Sequence, residues 1–174
     1  MTDTELPSDG VLDGALAFID LEASGLGAAS WPVEVGWGGV TGAPTAILIR
    51  PDASWNNAAW DPEAEKLHGL SRDRLARDGA AISVVCEALN AALSGRAVYS
   101  DAPDWDSFWL YRLFATARIR QGFKILAFAD LVTPMMGAHA EALVGEAEAR
   151  APRRHRAAAD VAFLQTLYGL AAAQ

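Results

Sequence analysis

Apolar runs in the first third of the chain predict β-strands. Residues 15–22 form a mostly apolar run that ends in acidic side chains, which is typical of a buried central strand. Residues 33–40 and 46–50 are two further strand candidates, and a Gly- and Pro-containing segment at 41–44 favours a turn between them. Because the links between these strands are short, we predict an antiparallel meander.

The pattern changes to helices and short strands after Pro51. Asp61 followed by Pro62 is typical of a helix N-terminus, and a short helix is predicted to run toward Leu67. The remaining predicted elements are a helix at 80–94 that stops at Gly95, a strand at 96–100, an aromatic-rich helix at 104–117, a strand at 125–128 and an alanine-rich helix at 157–172.

The order of these elements predicts an α/β fold with one five-stranded mixed sheet flanked by helices. Strands that first cluster and then alternate with helices predict three antiparallel strands followed by parallel additions. The length of 174 residues fits one domain, which we place at 14–174. Residues 1–13 are polar and contain Pro and Gly, so we expect a flexible N-terminal tail there.

Composition indicates a globular protein. Hydrophobic residues make up 52% of the chain and charged residues 21%. No apolar run reaches membrane-spanning length and the acidic N-terminus lacks a hydrophobic signal core, so we expect a cytoplasmic protein without a membrane partner. The single cysteine, Cys86, lies on an apolar helix face and is predicted to be a buried, inert thiol.

The charge distribution argues against a protein that coats long nucleic acids. The net charge is -8, and residues 1–49 hold seven acidic and no basic side chains. Four arginines cluster near the C-terminus, and they fit a solvated helix end as well as a phosphate-binding site (Arg150, Arg153, Arg154, Arg156).

Acidic side chains follow two of the predicted strands. Asp20 and Glu22 lie two residues apart, so a strand places both on one face. Asp101, Asp104 and Asp106 surround the start of the aromatic helix, just after the fourth strand, where ligands commonly bind in α/β sheets. Solvent-facing strand ends and helix capping are the alternative roles for these acids.

A histidine and an aspartate stand at the start of the last helix. His155 and Asp160 are five residues apart, which would separate them by about 140° around a helix. They face one site only if His155 lies on the loop that leads into the helix.

These motifs together resemble those of the DEDDh 3'-5' exonucleases. The segment from Phe18 to Leu26 contains the Asp-x-Glu of the first motif, Trp105-Asp106 resembles the aromatic-Asp of the second, and His155 with Asp160 has the His-x-x-x-x-Asp spacing of the third. His68-Gly69-Leu70-Ser71 also resembles a segment found between the first two motifs. Many members have His-Asn ahead of the second-motif Asp where this chain has Ser100-Asp101; by register with the aromatic residue we choose Asp106 as the ligand, with Asp101 as the alternative.

The resemblance implies a ribonuclease H-like fold and a two-metal-ion phosphodiester hydrolase. The cofactors would be two Mg²⁺ or Mn²⁺ ions, because hard cations prefer oxygen ligands. Four carboxylates would hold them and His155 would take the proton from the attacking water (Asp20, Glu22, Asp106, Asp160). Residues beside the terminal nucleotide would be Ala23, Ser24 and Leu26, while His68 fits packing in a turn as well as substrate contact.

The expected partners are 3' ends of single-stranded RNA or DNA, and the expected products are nucleoside 5'-monophosphates. A non-catalytic nucleic-acid-binding or protein-binding module on the same fold is the alternative, and an endonuclease or dinucleotide-specific hydrolase is a third. The sequence leaves the sugar preference, substrate length and oligomeric state open.

Overall fold

A computed structural model describes residues 14–174 as one five-stranded mixed sheet flanked by helices. In chain order the strands are β1 (Leu16–Ala23), β2 (Pro32–Gly38), β3 (Thr45–Leu48), β4 (Ala97–Ser100) and β5 (Ile125–Ala127). Their order across the sheet is β3-β2-β1-β4-β5. The pairs β1–β2 and β2–β3 are antiparallel, whereas β1–β4 and β4–β5 are parallel, which confirms the predicted sheet. The predicted tail, residues 1–13, lies outside the described residues.

The helices follow the predicted order, with three additions. They are α1 (Pro62–His68), α2 (Arg72–Asp78), α3 (Ile82–Leu93), α4 (Pro103–Ala117), α5 (Phe128–Met136), α6 (Ala140–Arg150) and α7 (Ala157–Ala172). Helices α1, α3, α4 and α7 confirm predicted helices, and α2, α5 and α6 were not predicted. No helix within residues 14–174 combines the length and apolar character needed to cross a bilayer.

Two apolar layers cover the two faces of the sheet. On one face, helices α3 and α4 pack through residues such as Leu89 and Leu110, and Cys86 is fully buried among them. Burial raises the pKa of the Cys86 thiol to about 12, so the thiol is inert near neutral pH, as predicted. On the other face, α5, α6 and α7 pack around Phe18, whose ring meets that of Phe128 edge-on at 5.6 Å.

A close approach between α7 and β2 requires glycine at position 36. A Cβ atom at Gly36 would lie 2.6 Å from the backbone carbon of Ala157 and 2.7 Å from its oxygen. Gly36 is also the sheet partner of Asp20 in β1. The first residue of α7 is therefore seated directly against β2, beside the acidic positions of β1.

Candidate functional site

The acidic end of β1 and the end of β4 lie at the same edge of the sheet, because the two strands are parallel. Asp20 and Glu22 project from one face of β1. Asp106 is in the first turn of α4, the helix that follows β4, and Asp160 is in the first turn of α7. Three elements distant in sequence thus bring four carboxylates together.

Asp20 lies at the electrostatic centre of this group. Burial raises the pKa of Asp20 well above its ordinary value, and the negative charges of Asp106, Glu22 and Asp160 raise it further, in that order. Its Oδ2 atom is buried and has no hydrogen-bond partner among the described residues. An unpaired buried carboxylate oxygen is costly, so this position favours a cation or a shared proton.

Asp106 is 1% exposed and is held from both sides. Burial raises its pKa, while a hydrogen bond from the Ser100 hydroxyl to its Oδ2 and the backbone of Leu21 partly oppose that shift. Ser100, the last residue of β4, also accepts a hydrogen bond from the backbone N–H of Ala102 at 2.9 Å. Ser100 therefore orients the Asp106 carboxylate.

Glu22 faces both acids and one arginine. Its pKa is raised from 4.5 to about 8, first by burial and then by the charges of Asp160 and Glu34, whereas Arg156 lowers it. One ligand atom each from Glu22, Asp160 and His155 lie within 4.8 Å of one another. This spacing fits donors that surround a single ion.

His155 lies on the loop between α6 and α7, as the shared site requires. It has a positive φ of 51° and is exposed. The neighbouring backbone N–H of Arg154 donates to Asp160 Oδ1 at 2.9 Å. Burial raises the pKa of Asp160, and this hydrogen bond and the nearby His155 oppose the shift. The predicted condition that His155 precede the helix is met.

An ion pair between a buried glutamate and a partly exposed arginine anchors the start of α7. Glu34 in β2 is 2% exposed and accepts hydrogen bonds from Arg156 Nε at 2.9 Å and Nη2 at 2.7 Å. It also accepts the first backbone N–H of α7, from Ala157, at 3.0 Å. This two-point contact fixes the helix that carries Asp160, and it places the guanidinium near Glu22.

Asp101, the alternative second-motif ligand, is exposed and pairs with Arg153 Nη1 at 3.0 Å. Its effect on the pKa of Asp20 is smaller than those of Asp106, Glu22 and Asp160. Asp106 is thus the more deeply buried of the two acids and the one whose charge acts more strongly on Asp20.

The loop after β1 presents a large apolar side chain to solvent. Leu26 is 68% exposed, whereas Ala23 and Ser24 are buried. Ser24 donates its backbone N–H to the Trp31 carbonyl at 2.8 Å and accepts the Trp31 N–H on its hydroxyl at 3.0 Å. Trp31 itself is fully buried. Ser24 therefore closes the loop, and the exposed Leu26 side chain is an apolar surface that a ligand can reach.

His68 is packed in the turn after α1. It is 4% exposed, its Nδ1 accepts the Leu70 N–H at 3.0 Å, and Trp60 meets its ring edge-on. Its Nε2 is buried without a hydrogen-bond partner in residues 14–174, and burial lowers its pKa. Of the two roles considered for His68, the structure shows packing in a turn, and contact of His68 with substrate stays a prediction.

Glu34 and Arg156 contribute to the site but were not predicted as site residues. Glu34 lies within a strand that is otherwise apolar, and an isolated acid inside such a run is the signal that could have revealed a buried partner. Its partner is 122 residues away, so no local spacing links the two.

The sheet and its helices resemble those of Exonuclease I. The structure of E. coli Exonuclease I with a dA16 oligonucleotide has a TM-score of 0.71 and 13% identity over 91% of this chain. Exonuclease I from Methylocaldum szegediense has a TM-score of 0.66 and 16% identity over 89% of this chain. The chain spans 41% and 39% of those two proteins, so the likeness concerns part of each and shows the fold. No family model and no curated protein sequence matches the chain.

Proposed function

We propose that this chain is a metal-dependent 3'-5' exonuclease that hydrolyses the terminal phosphodiester bond of single-stranded nucleic acid and releases nucleoside 5'-monophosphates. The observation that carries the proposal is the convergence of four carboxylates from β1, α4 and α7 beside an exposed histidine on a loop (Asp20, Glu22, Asp106, Asp160, His155). Proteins of similar fold are described as exonucleases in complex with single-stranded DNA, which supports the same substrate class here.

The donor set fits Mg²⁺ or Mn²⁺. Each of the four carboxylates has a raised pKa, and burial is the largest cause in every case. A bound cation would offset the repulsion among these carboxylates and stabilise their ionised forms, and hard cations prefer carboxylate oxygens. Two such ions, when bound, would stabilise charge on the phosphoryl oxygens and lower the pKa of the attacking water. The four carboxylates would hold them, with Asp20 at the centre.

His155 is the residue that we assign as general base. It is exposed, and a ligand atom of its imidazole lies within 4.8 Å of one each from Glu22 and Asp160. An imidazole at this place can take a proton from water that enters from solvent. The carboxylates cannot serve as readily, because each is engaged with the other acids.

Leu26 is the residue that we assign to the terminal base. Its exposed side chain stands on the loop that follows Asp20 and Glu22 by a few residues, so an apolar contact there lies beside the reacting end. The net charge of -8 disfavours long-range attraction to a polyanion. The protein is therefore expected to engage its substrate at the end and over few nucleotides.

The test is hydrolysis of 5'-labelled single-stranded RNA and DNA oligomers by the wild type and by Asp20→Asn. Each is assayed with Mg²⁺, with Mn²⁺ and with a chelator. A ladder that shortens from the 3' end, needs the metal and is absent for Asp20→Asn supports the proposal, and it ranks the two sugars. Internal cuts would indicate an endonuclease. Binding of the oligomers by folded protein without cleavage would favour the non-catalytic binding module.

A further inference from the structure

The loop between α6 and α7 is fixed on both sides of His155. On the C-terminal side, Arg156 is bound by the buried Glu34. On the N-terminal side, the Arg154 N–H is bound by Asp160. His155 has a backbone φ of 51°, a conformation that non-glycine residues hold only when their surroundings determine it. The contacts around this residue are therefore part of what makes the site.

Arg153 makes the remaining anchor, and its contacts converge from three elements. Its Nη1 lies 3.0 Å from Asp101 Oδ2 after β4, and its Nε lies 3.7 Å from Glu148 Oε2 in α6. Its guanidinium lies over the ring of Phe163 in α7, 4.2 Å from the ring centre. Its backbone N–H also donates to Glu148 Oε1 at 3.2 Å. We name these contacts of Arg153 with Asp101, Glu148 and Phe163 the Arg153 clamp.

We infer that the Arg153 clamp is a positioning device for the proposed general base: it holds the loop so that His155 stays beside Glu22 and Asp160. This inference rests on the proposed function, and it assigns to Asp101 the role of anchoring the loop. A planar guanidinium suits the task, because it can pair with a carboxylate at its edge while its face packs on an aromatic ring. The clamp ties α6, α7 and the end of β4 to one side chain two residues from His155.

The contacts of Arg153 differ from those of Arg150, another arginine of the same cluster. Arg150 pairs with Glu146 within α6, and that exposed pair involves no element of the site. Arg153 instead crosses from the loop to the end of β4, a separation of 52 residues in sequence. Arg150 is therefore the matched control: it is a charged neighbour on the same stretch of chain, with an ion pair but without the clamp.

The experiment compares Arg153→Ala, Arg153→Lys and Arg150→Ala in the presence of Mn²⁺. A base held in the wrong place lowers the rate of chemistry, so we expect Arg153→Ala to reduce kcat about 10-fold and to change KM less than about 2-fold. Arg153→Lys keeps a cation at the clamp but loses the planar group that stacks on Phe163, so it should recover only part of the rate, and Arg150→Ala should match the wild type. A change in KM alone, or an equal loss in Arg150→Ala, would overturn the inference.

A double-variant cycle separates positioning from a general structural effect. In a His155→Ala background the base is gone, so Arg153→Ala should lower the residual kcat by less than about 2-fold. An undiminished effect in that background would refute the inference. Thermal unfolding confirms that each variant is folded, and Mn²⁺ affinity measured by calorimetry should be unchanged in Arg153→Ala.

A readout without activity keeps the two proposals apart. Hydrogen exchange and ¹⁵N relaxation of the amides of residues 154–156 should show a more mobile loop in Arg153→Ala than in the wild type. Equal mobility in both proteins would refute the clamp even if the enzyme is active. A folded wild type that cleaves no oligomer would refute the proposed function, and the relaxation data would then decide on the clamp alone.

Discussion

Replacement of Glu22 by Gln should stabilise the metal-free protein, although it removes a proposed metal ligand. The folded-state pKa of Glu22 is raised from 4.5 to about 8 by burial and by the charge of Asp160. Between these two pH values the folded protein holds a proton that the unfolded chain releases. The contribution of Glu22 to the free energy of unfolding is therefore largest below pH 4.5, and it is lost as the pH rises through about 8.

The size of the gain in unfolding free energy follows from the difference between the folded and unfolded pKa values of Glu22. One pKa unit corresponds to about 1.4 kcal/mol, so the complete difference for Glu22 is about 5 kcal/mol. Glu22 keeps part of its surface in water, which screens its neighbours, and we expect about half of that value, roughly 2 kcal/mol, at pH 8.5. For a chain of this length that gain corresponds to a rise in Tm of about 4 to 8 °C.

The assay is thermal unfolding of wild type and Glu22→Gln at pH 5 and at pH 8.5, with chelator and with Mn²⁺. The variant should gain little at pH 5 and most at pH 8.5 in chelator. With Mn²⁺ at 100 times its Kd, ion binding adds about 2.7 kcal/mol to the free energy of unfolding of the wild type, which should then be more stable than the variant. Glu87→Gln on the exposed face of α3 is the control and should change little under any condition. A Glu22→Gln protein less stable than wild type at pH 8.5 in chelator would refute the electrostatic reasoning.

Three further outcomes test the rest of the site. His155→Ala should lower kcat by about 100-fold or more with Mn²⁺ affinity retained in calorimetry, and an unchanged rate would exclude it as the base. Gly36→Ala should displace the first turn of α7 and lower the free energy of unfolding by about 2 to 4 kcal/mol in urea titration, because the new methyl group would overlap Ala157; Gly145→Ala, where a Cβ meets nothing, is the control. Glu34→Gln should lower the free energy of unfolding by about 1 kcal/mol, because Arg156 loses its charged partner but keeps contact with water, and a neutral effect would show that the ion pair does not anchor α7.

Much of the fold follows from short-range patterns in the sequence. The apolar run of β1 ends in acids because that strand is central and its end opens onto the site. The turn residues between β2 and β3 and the Asp61 cap of α1 act over a few positions, so the sequence shows them directly. The spacing of His155 and Asp160 is likewise local.

The features that the sequence did not predict depend on contacts between residues far apart in the chain. Helix α5 contains Pro134, a residue that argues against a helix interior, and it is held by packing on α7 and not by its own propensity. The ion pair of Glu34 and Arg156 joins positions that are 122 residues apart. The clamp around Arg153 is similar, since its partners lie on three elements and no spacing rule connects them.

The position of α7 links folding of the chain to the appearance of its chemistry. Three of the four carboxylates are in place once β1 and α4 have formed, but Asp160 arrives only with the last helix. A chain synthesised from its N-terminus therefore lacks one of the four proposed metal ligands until α7 docks on β1 and β2. Docking of this helix brings negative charges together, and ion binding removes that opposition. We expect divalent cations to stabilise the docked position of α7. The last step of folding would then also be the step that assembles the proposed site.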